Sequence, residues 1–98
     1  MSFVVIVEVH AKDTPEAIDG IKRTLVDGAA VYKKEEGTLE FLPIQDSKDE
    51  KTFRVFEIFK SEDAFKTHQE NPYRPKFLAD LKSAIDRPPQ LNFYSPLT

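Results

Sequence analysis

The spacing of apolar positions changes several times along this chain, and each change marks a structural element. Phe3 to His10 is rich in Val and Ile and apolar on both pleat faces until Glu8, the pattern of a central strand covered on both sides. Thr14-Pro15 then opens a long helix, because proline disfavours helical geometry at the residue before it and suits the first helical position itself. Its apolar positions Ile18, Ile21, Leu25, Ala29 and Tyr32 recur at three- and four-residue steps, and Gly37 stands where a left-handed residue would end it. Thr38 to Gln45 reads as a second strand with Leu39 and Phe41 on one face, and Pro43 within it implies an edge or a bulge. Asp46-Ser47-Lys48-Asp49-Glu50 is a polar turn. Lys51 to Lys60 alternates again, with Phe53, Val55, Glu57 and Phe59 on one face and Phe56 and Ile58 on the other.

Ser61 caps a short second helix whose first turn carries Glu62 and Asp63 at the positive end of the helix dipole. On it Ala64, Phe65 and His68 share one side, and Asn71-Pro72 breaks it. A third helical stretch presents Tyr73, Phe77, Leu81 and Ala84 or Ile85 in register, Pro88-Pro89 ends it, and Leu91 to Tyr94 forms a short last strand. The order strand, helix, strand, strand, helix pair, strand is the split βαβ arrangement of an α+β, ferredoxin-like fold with an antiparallel sheet, and residues 1–98 read as a single domain. Helices cover one sheet face, so strands apolar on both faces leave a second face to hide. A chain of 98 residues has nothing left to hide it with. A homodimer packed sheet to sheet about a two-fold axis is the simplest remedy.

Composition narrows the function by exclusion. A net charge of -3, a pI near 5.4 and no cluster of Lys or Arg beyond Lys33-Lys34 give no electrostatic footprint for nucleic acid. The absence of cysteine excludes disulfides, thiolate metal sites and thiol nucleophiles together. Two histidines far apart in sequence make a poor metal site, no Gly-rich loop cradles phosphate, and no Ser-centred nucleophile motif is present. The first eight residues lack a basic flank and reach a charge too early for a signal peptide, and no apolar run approaches a membrane span, so a cytoplasmic protein without membrane partners is expected.

Five short pieces in order carry a family resemblance: Glu35-Glu36-Gly37, Thr38-Leu39, Phe56-Glu57-Ile58-Phe59, His68 and Pro72-Tyr73. Together they resemble the antibiotic biosynthesis monooxygenase domain family, whose members form dimeric α+β barrels. Glu36 stands where the family usually has proline, Phe59 where many members have Trp, and Tyr73 where many have a second His. The haem-degrading branch uses Asn on the first strand together with Trp and His; this chain has no Trp and no Asn between Phe3 and His10. The resemblance therefore implies the cofactor-free branch, whose members oxidise phenolic, anthrone or quinol substrates with O2, together with relatives that isomerise small oxygenated metabolites.

Such chemistry needs a base, a dry aromatic pocket and a polar anchor. His68 is the candidate base, since an ordinary imidazole titrates near pH 6.5; a core histidine bonded to a carbonyl is the alternative. Glu57, amid Phe53, Val55 and Phe59, is costly to bury unpaired and calls for a basic partner, a water or a catalytic role. Tyr32 and Tyr73 are candidate donors to a substrate carbonyl, and Phe53, Phe56, Phe65 and Phe77 candidate pocket walls; all six are equally sound as core. His10, beside polar residues at a strand end, is expected to be solvated. Two further functions stay open on the same scaffold: an isomerase or cyclase using His68 without O2, and a non-catalytic small-molecule-binding or stress-associated dimer.

Overall fold

The computed structural model describes residues 1–98. Its elements run β1 (Phe3–His10), α1 (Pro15–Tyr32), β2 (Thr38–Gln45), β3 (Thr52–Phe59), α2 (Glu62–Gln69), α3 (Arg74–Lys82) and β4 (Gln90–Tyr94). The four strands form one antiparallel sheet in the order β2-β3-β1-β4, the ferredoxin-like arrangement that the pattern of elements implies. β1 is central, as its unbroken apolar run requires. β2 is an edge, where the missing N–H of Pro43 is tolerated; the irregularity in the ladder lies between Thr38 and Glu40, so Leu39 and not Pro43 is the extra residue.

Directly opposed residues of an antiparallel pair share a face. Phe3, Val5, Val7 and Val9 of β1 therefore point the same way as Phe59, Glu57, Val55 and Phe53 of β3, and as Phe41 of β2. Helices α1, α2 and α3 cover this face, and the main core of Ile21, Leu25, Tyr32, Phe41, Val55 and Leu81 lies between. α1 starts as its sequence dictates: the Thr14 side chain accepts from the Ala17 N–H, and Pro15 occupies the first turn. α2 is capped in the same way by Ser61 accepting from the Ala64 N–H. Gly28 of α1 lets the Phe77 ring of α3 lie against the helix backbone, since a Cβ there would meet the ring at 2.5 Å.

The end of α1 departs from the sequence expectation. The helix stops at Tyr32 and tightens into i→i+3 turns, Lys34 N–H to Val31 and Glu35 N–H to Tyr32, which satisfy the terminal carbonyls without any left-handed residue. Gly37 has no positive φ. Its small size serves a different purpose: a Cβ at Gly37 would lie 2.7 Å from the Ala64 Cβ, so glycine lets the start of β2 approach α2. His10 is also partnered, its Nε2 3.3 Å from Glu8 and its Nδ1 3.2 Å from the Thr52 hydroxyl.

No helix covers the opposite sheet face, and of its apolar residues on the two central strands only Val4 is buried. Val4, Ile6, Phe56, Ile58, Leu42 and Ile44 lie on it, with charge gathered at one end around Glu8 and Arg54, which are paired to each other.

Candidate functional site

His68 reaches the covered face from the last turn of α2 and is buried there, its ring edge-on to Tyr32 at 4.4 Å and tilted against Phe59 at 5.0 Å between centroids. Nδ1 is 2.8 Å from Glu35 Oε1. The same carboxylate accepts from the Thr38 hydroxyl at 2.7 Å and from the Asn71 amide at 2.9 Å. Burial by itself would raise the Glu35 pKa, but these three donors outweigh it and hold the carboxyl below its ordinary value. An ionised carboxylate only accepts, so Nδ1 carries the proton and Nε2 presents its lone pair inward. Burial lowers the His68 pKa against the opposing pull of Glu35, which leaves the ring neutral at pH 7.

Glu57 Oε1 lies 3.7 Å from that Nε2, too far for a hydrogen bond. No Arg or Lys pairs with Glu57, contrary to the partner its burial called for. Burial first, and the negative charge of Glu35 second, push its pKa up to about 8, so the buried carboxyl is a neutral acid at pH 7. A base and an acid thus sit side by side without bonding to each other.

Both border a cavity of about 80 Å³ between the sheet and the helices. Its walls include Val5, Val7, Tyr32, Phe41, Phe65 and Phe77, with Arg74 half-buried among them. The space holds several waters; it is about half of the roughly 150 Å³ in which a lone benzene ring sits, so a single ring needs small movements of the walls, whereas a fused polycycle needs several hundred Å³. Tyr32 is 1% exposed and Glu57 5%, and neither makes a side-chain hydrogen bond. No fully enclosed side-chain N or O atom lacks a partner, so the Tyr32 hydroxyl, the Glu57 carboxyl and His68 Nε2 are all open to this cavity.

Of the residues singled out from sequence, His68, Glu57, Tyr32, Phe65 and Phe77 meet at the cavity. Tyr73 stands behind this wall, 5.8 Å from the Tyr32 ring and 6.3 Å from Phe77. Phe53 and Phe56 do not reach it. Phe53 shares the face of Glu57 but lies four residues along β3, packed with Val9 and Leu25 at the far end of the core. Phe56 is adjacent to Glu57 and so projects from the opposite face. Three residues went unrecognised as site members. Glu35 stood in the motif but reads as part of a helix end, Asn71 reads as a helix breaker, and Arg74 is one of 14 Lys and Arg residues with no distinguishing pattern.

The family model for antibiotic biosynthesis monooxygenases matches residues 2–80. The chain belongs to this family. Solved structures add the fold. The Rv0793 protein of Mycobacterium tuberculosis aligns with a TM-score of 0.90 at 18% identity, covering 100% of this chain and 97% of its own. PA3566 of Pseudomonas aeruginosa gives 0.88 at 20% identity, covering 99% and 95%. A conserved protein of Methanosarcina mazei Go1 gives 0.88 at 18% identity, covering 96% and 91%. No curated protein matches. The antibiotic biosynthesis monooxygenase domain therefore includes His68, Glu57, Glu35, Asn71 and Arg74, while β4 lies beyond the matched stretch and still supplies Leu91 to the cavity wall.

Proposed function

We propose that this chain is a monooxygenase that works without a cofactor on a small quinol-like or phenolic aromatic, with His68 as the general base. The observation that carries this reading is the arrangement at the cavity: a neutral imidazole whose tautomer is set by Glu35, its free nitrogen 3.7 Å from Glu57, inside an aromatic wall. His68 Nε2 takes a hydroxyl proton, and the resulting electron-rich ring reduces O2 directly. The ring supplies four electrons; one oxygen atom enters it and the other leaves as water, so that a quinol becomes a hydroxyquinone. Glu57, as a neutral acid, is placed to return a proton to the reduced oxygen. The apolar walls keep bulk water from the intermediate. The cavity volume favours a single ring over an anthrone-sized substrate.

A same-fold isomerase is the second reading, and the juxtaposed acid and base favour it, because moving a proton between neighbouring carbons needs both and no oxidant. Oxygen-electrode measurements with monocyclic quinols separate the two. Uptake of one O2 per quinol, slowed about a hundredfold in His68→Ala, is expected; product formation at the same rate under argon would replace the oxygenase with the isomerase. A dimer formed through the uncovered sheet face completes the proposal.

A further inference from the structure

The cavity contains one formal charge that the chain does not answer. Arg54 pairs with Glu8 and Asp46, and Arg87 with Asp86, but the guanidinium of Arg74 makes no ion pair and no side-chain hydrogen bond although it lines the same cavity as Glu57 and His68. It is close enough to act on both: its positive charge favours ionised Glu57 and disfavours protonated His68. Glu57, the carboxyl its charge acts on, stays neutral under burial, so the cation at the cavity wall has no anionic partner in the chain. The Tyr32 hydroxyl, open to the same space, is likewise unpartnered. Burial pushes its pKa to about 12, so it is always a donor.

We infer that Arg74 and the Tyr32 hydroxyl form an anion-binding pair, and that the ligand of this cavity is a single planar ring bearing an anionic oxygen, a phenolate or a carboxylate. Guanidinium N–H groups and a phenolic O–H together match the lone pairs of such an oxygen, and the apolar walls Val5, Val7, Phe41 and Phe77 take the ring. A bound anion fits the charges already present. Glu57 and His68 are neutral at pH 7, and the anionic Glu35 faces the far side of the imidazole, its lone pairs held by Thr38 and Asn71. The inference rests on the proposed function only in taking this cavity as the substrate site. It sharpens that function, since an oxygen held as an anion makes the ring a better reductant of O2.

Isothermal titration at pH 7 under argon with benzoate, 4-nitrophenol and neutral phenol tests the assignment, the exclusion of O2 preventing oxygenation of any of the three. The wild-type chain is expected to bind benzoate and 4-nitrophenol, the latter with growth of its yellow phenolate absorbance. Arg74→Gln should weaken both by tenfold or more and abolish the absorbance change, while phenol binding stays within about twofold. Arg74→Lys should fall between, and Tyr32→Phe should cost a smaller factor. Preference for benzoate identifies a carboxylate ligand, and preference for nitrophenolate an ionised hydroxyl. Because Arg74 is half-buried and unpaired, both variants are expected to fold, and circular dichroism checks this. Unchanged anion binding in Arg74→Gln, absence of anion binding in the wild type, or parallel loss of phenol overturns the assignment. Binding is read without turnover, so an anion site dependent on Arg74 stands even if no quinol consumes O2, and oxygen uptake with Arg74-independent binding sinks this inference alone.

Discussion

The two faces of the sheet reverse the usual order of inside and outside. The face packed under three helices carries a carboxylic acid, an imidazole and a phenol whose hydrogen-bonding capacity the chain does not meet, while the face open to water carries Ile6, Phe56, Ile58 and the half-exposed Leu42 and Ile44. Each departure costs free energy. A buried polar group without a partner costs about 1–3 kcal/mol, and exposed apolar surface forfeits roughly 25 cal/mol per Å². The two costs fall on opposite faces, and we read each by what would offset it: a ligand in the cavity for the unmet capacity of the covered face, and a second copy for the apolar surface of the open face.

Breaking the open face should have the largest effect. Light scattering at micromolar concentration is expected to give about twice the chain mass of 11.2 kDa. The double substitution Phe56→Asp with Ile58→Lys places two charges at the centre of that face, and it should abolish association and lower the melting temperature sharply. A wild-type monomer, or a variant that stays dimeric, would dissolve the contrast between the faces.

On the covered face the largest effect concerns pH. Glu57 has its folded pKa raised from 4.5 to about 8, so its contribution to stability is fully present below pH 4.5 and lost as pH rises through 8. At about 1.4 kcal/mol per pH unit this amounts to several kcal/mol across the interval. His68 works in the opposite sense: its lowered pKa gives stability present above pH 6.5 and lost as pH falls below it. Glu57→Gln keeps the shape and removes the alkaline loss, so at fixed protein concentration the variant should melt above the wild type at pH 8 and close to it at pH 5. Parallel pH profiles for the two would show that Glu57 is ionised in the folded state.

How far these faces were legible in the sequence follows from the period of each element. Alternation placed Glu57 on the face of β3 shared by Phe53, Val55 and Phe59, and helical spacing placed His68 on the apolar side of α2, because a polar residue interrupting an apolar period is visible without a structure; which face of β3 the helices cover was not visible. The same alternation argues against Phe56 as a pocket wall, since adjacent strand residues diverge, and Phe53 fails only on distance along the strand. The end of α1 was not legible: its turns are held by Glu35, whose three partners Thr38, His68 and Asn71 come from three later segments. Arg74 was hidden for a related reason. What distinguishes it is a missing partner, and that is a property of the folded chain alone.

Next in size is catalysis. His68→Ala should lower turnover about a hundredfold, equivalent to about 2.7 kcal/mol of barrier. Glu35 keeps Thr38 and Asn71 after the truncation, so the melting temperature should fall by less than an unpaired carboxylate would demand. Turnover in the wild type should be lost as pH falls and the ring protonates, with its midpoint below 6.5. Full oxygen consumption in His68→Ala would transfer the proton chemistry to Glu57 or to the substrate itself.

The smallest effect falls on the joint between α2 and β2. Gly37→Ala puts a methyl group 2.7 Å from the Ala64 Cβ, closer than two carbons approach without movement, so α2 must shift outward by roughly 0.7 Å to reach ordinary contact at 3.4 Å. The strain should cost about 1–3 kcal/mol of stability. The shift also carries His68, whose Nδ1 must stay within hydrogen-bonding reach of Glu35 for Nε2 to keep its lone pair toward the cavity. Turnover should therefore fall further than stability alone predicts when measured well below the melting temperature. Ala64→Gly in the same chain removes the opposing methyl, restoring turnover while adding a helix-propensity cost of about 1 kcal/mol. If Gly37→Ala weakens the fold and leaves turnover untouched, the position of α2 matters to packing but not to the imidazole, and the site is less tightly built than its hydrogen bonds imply.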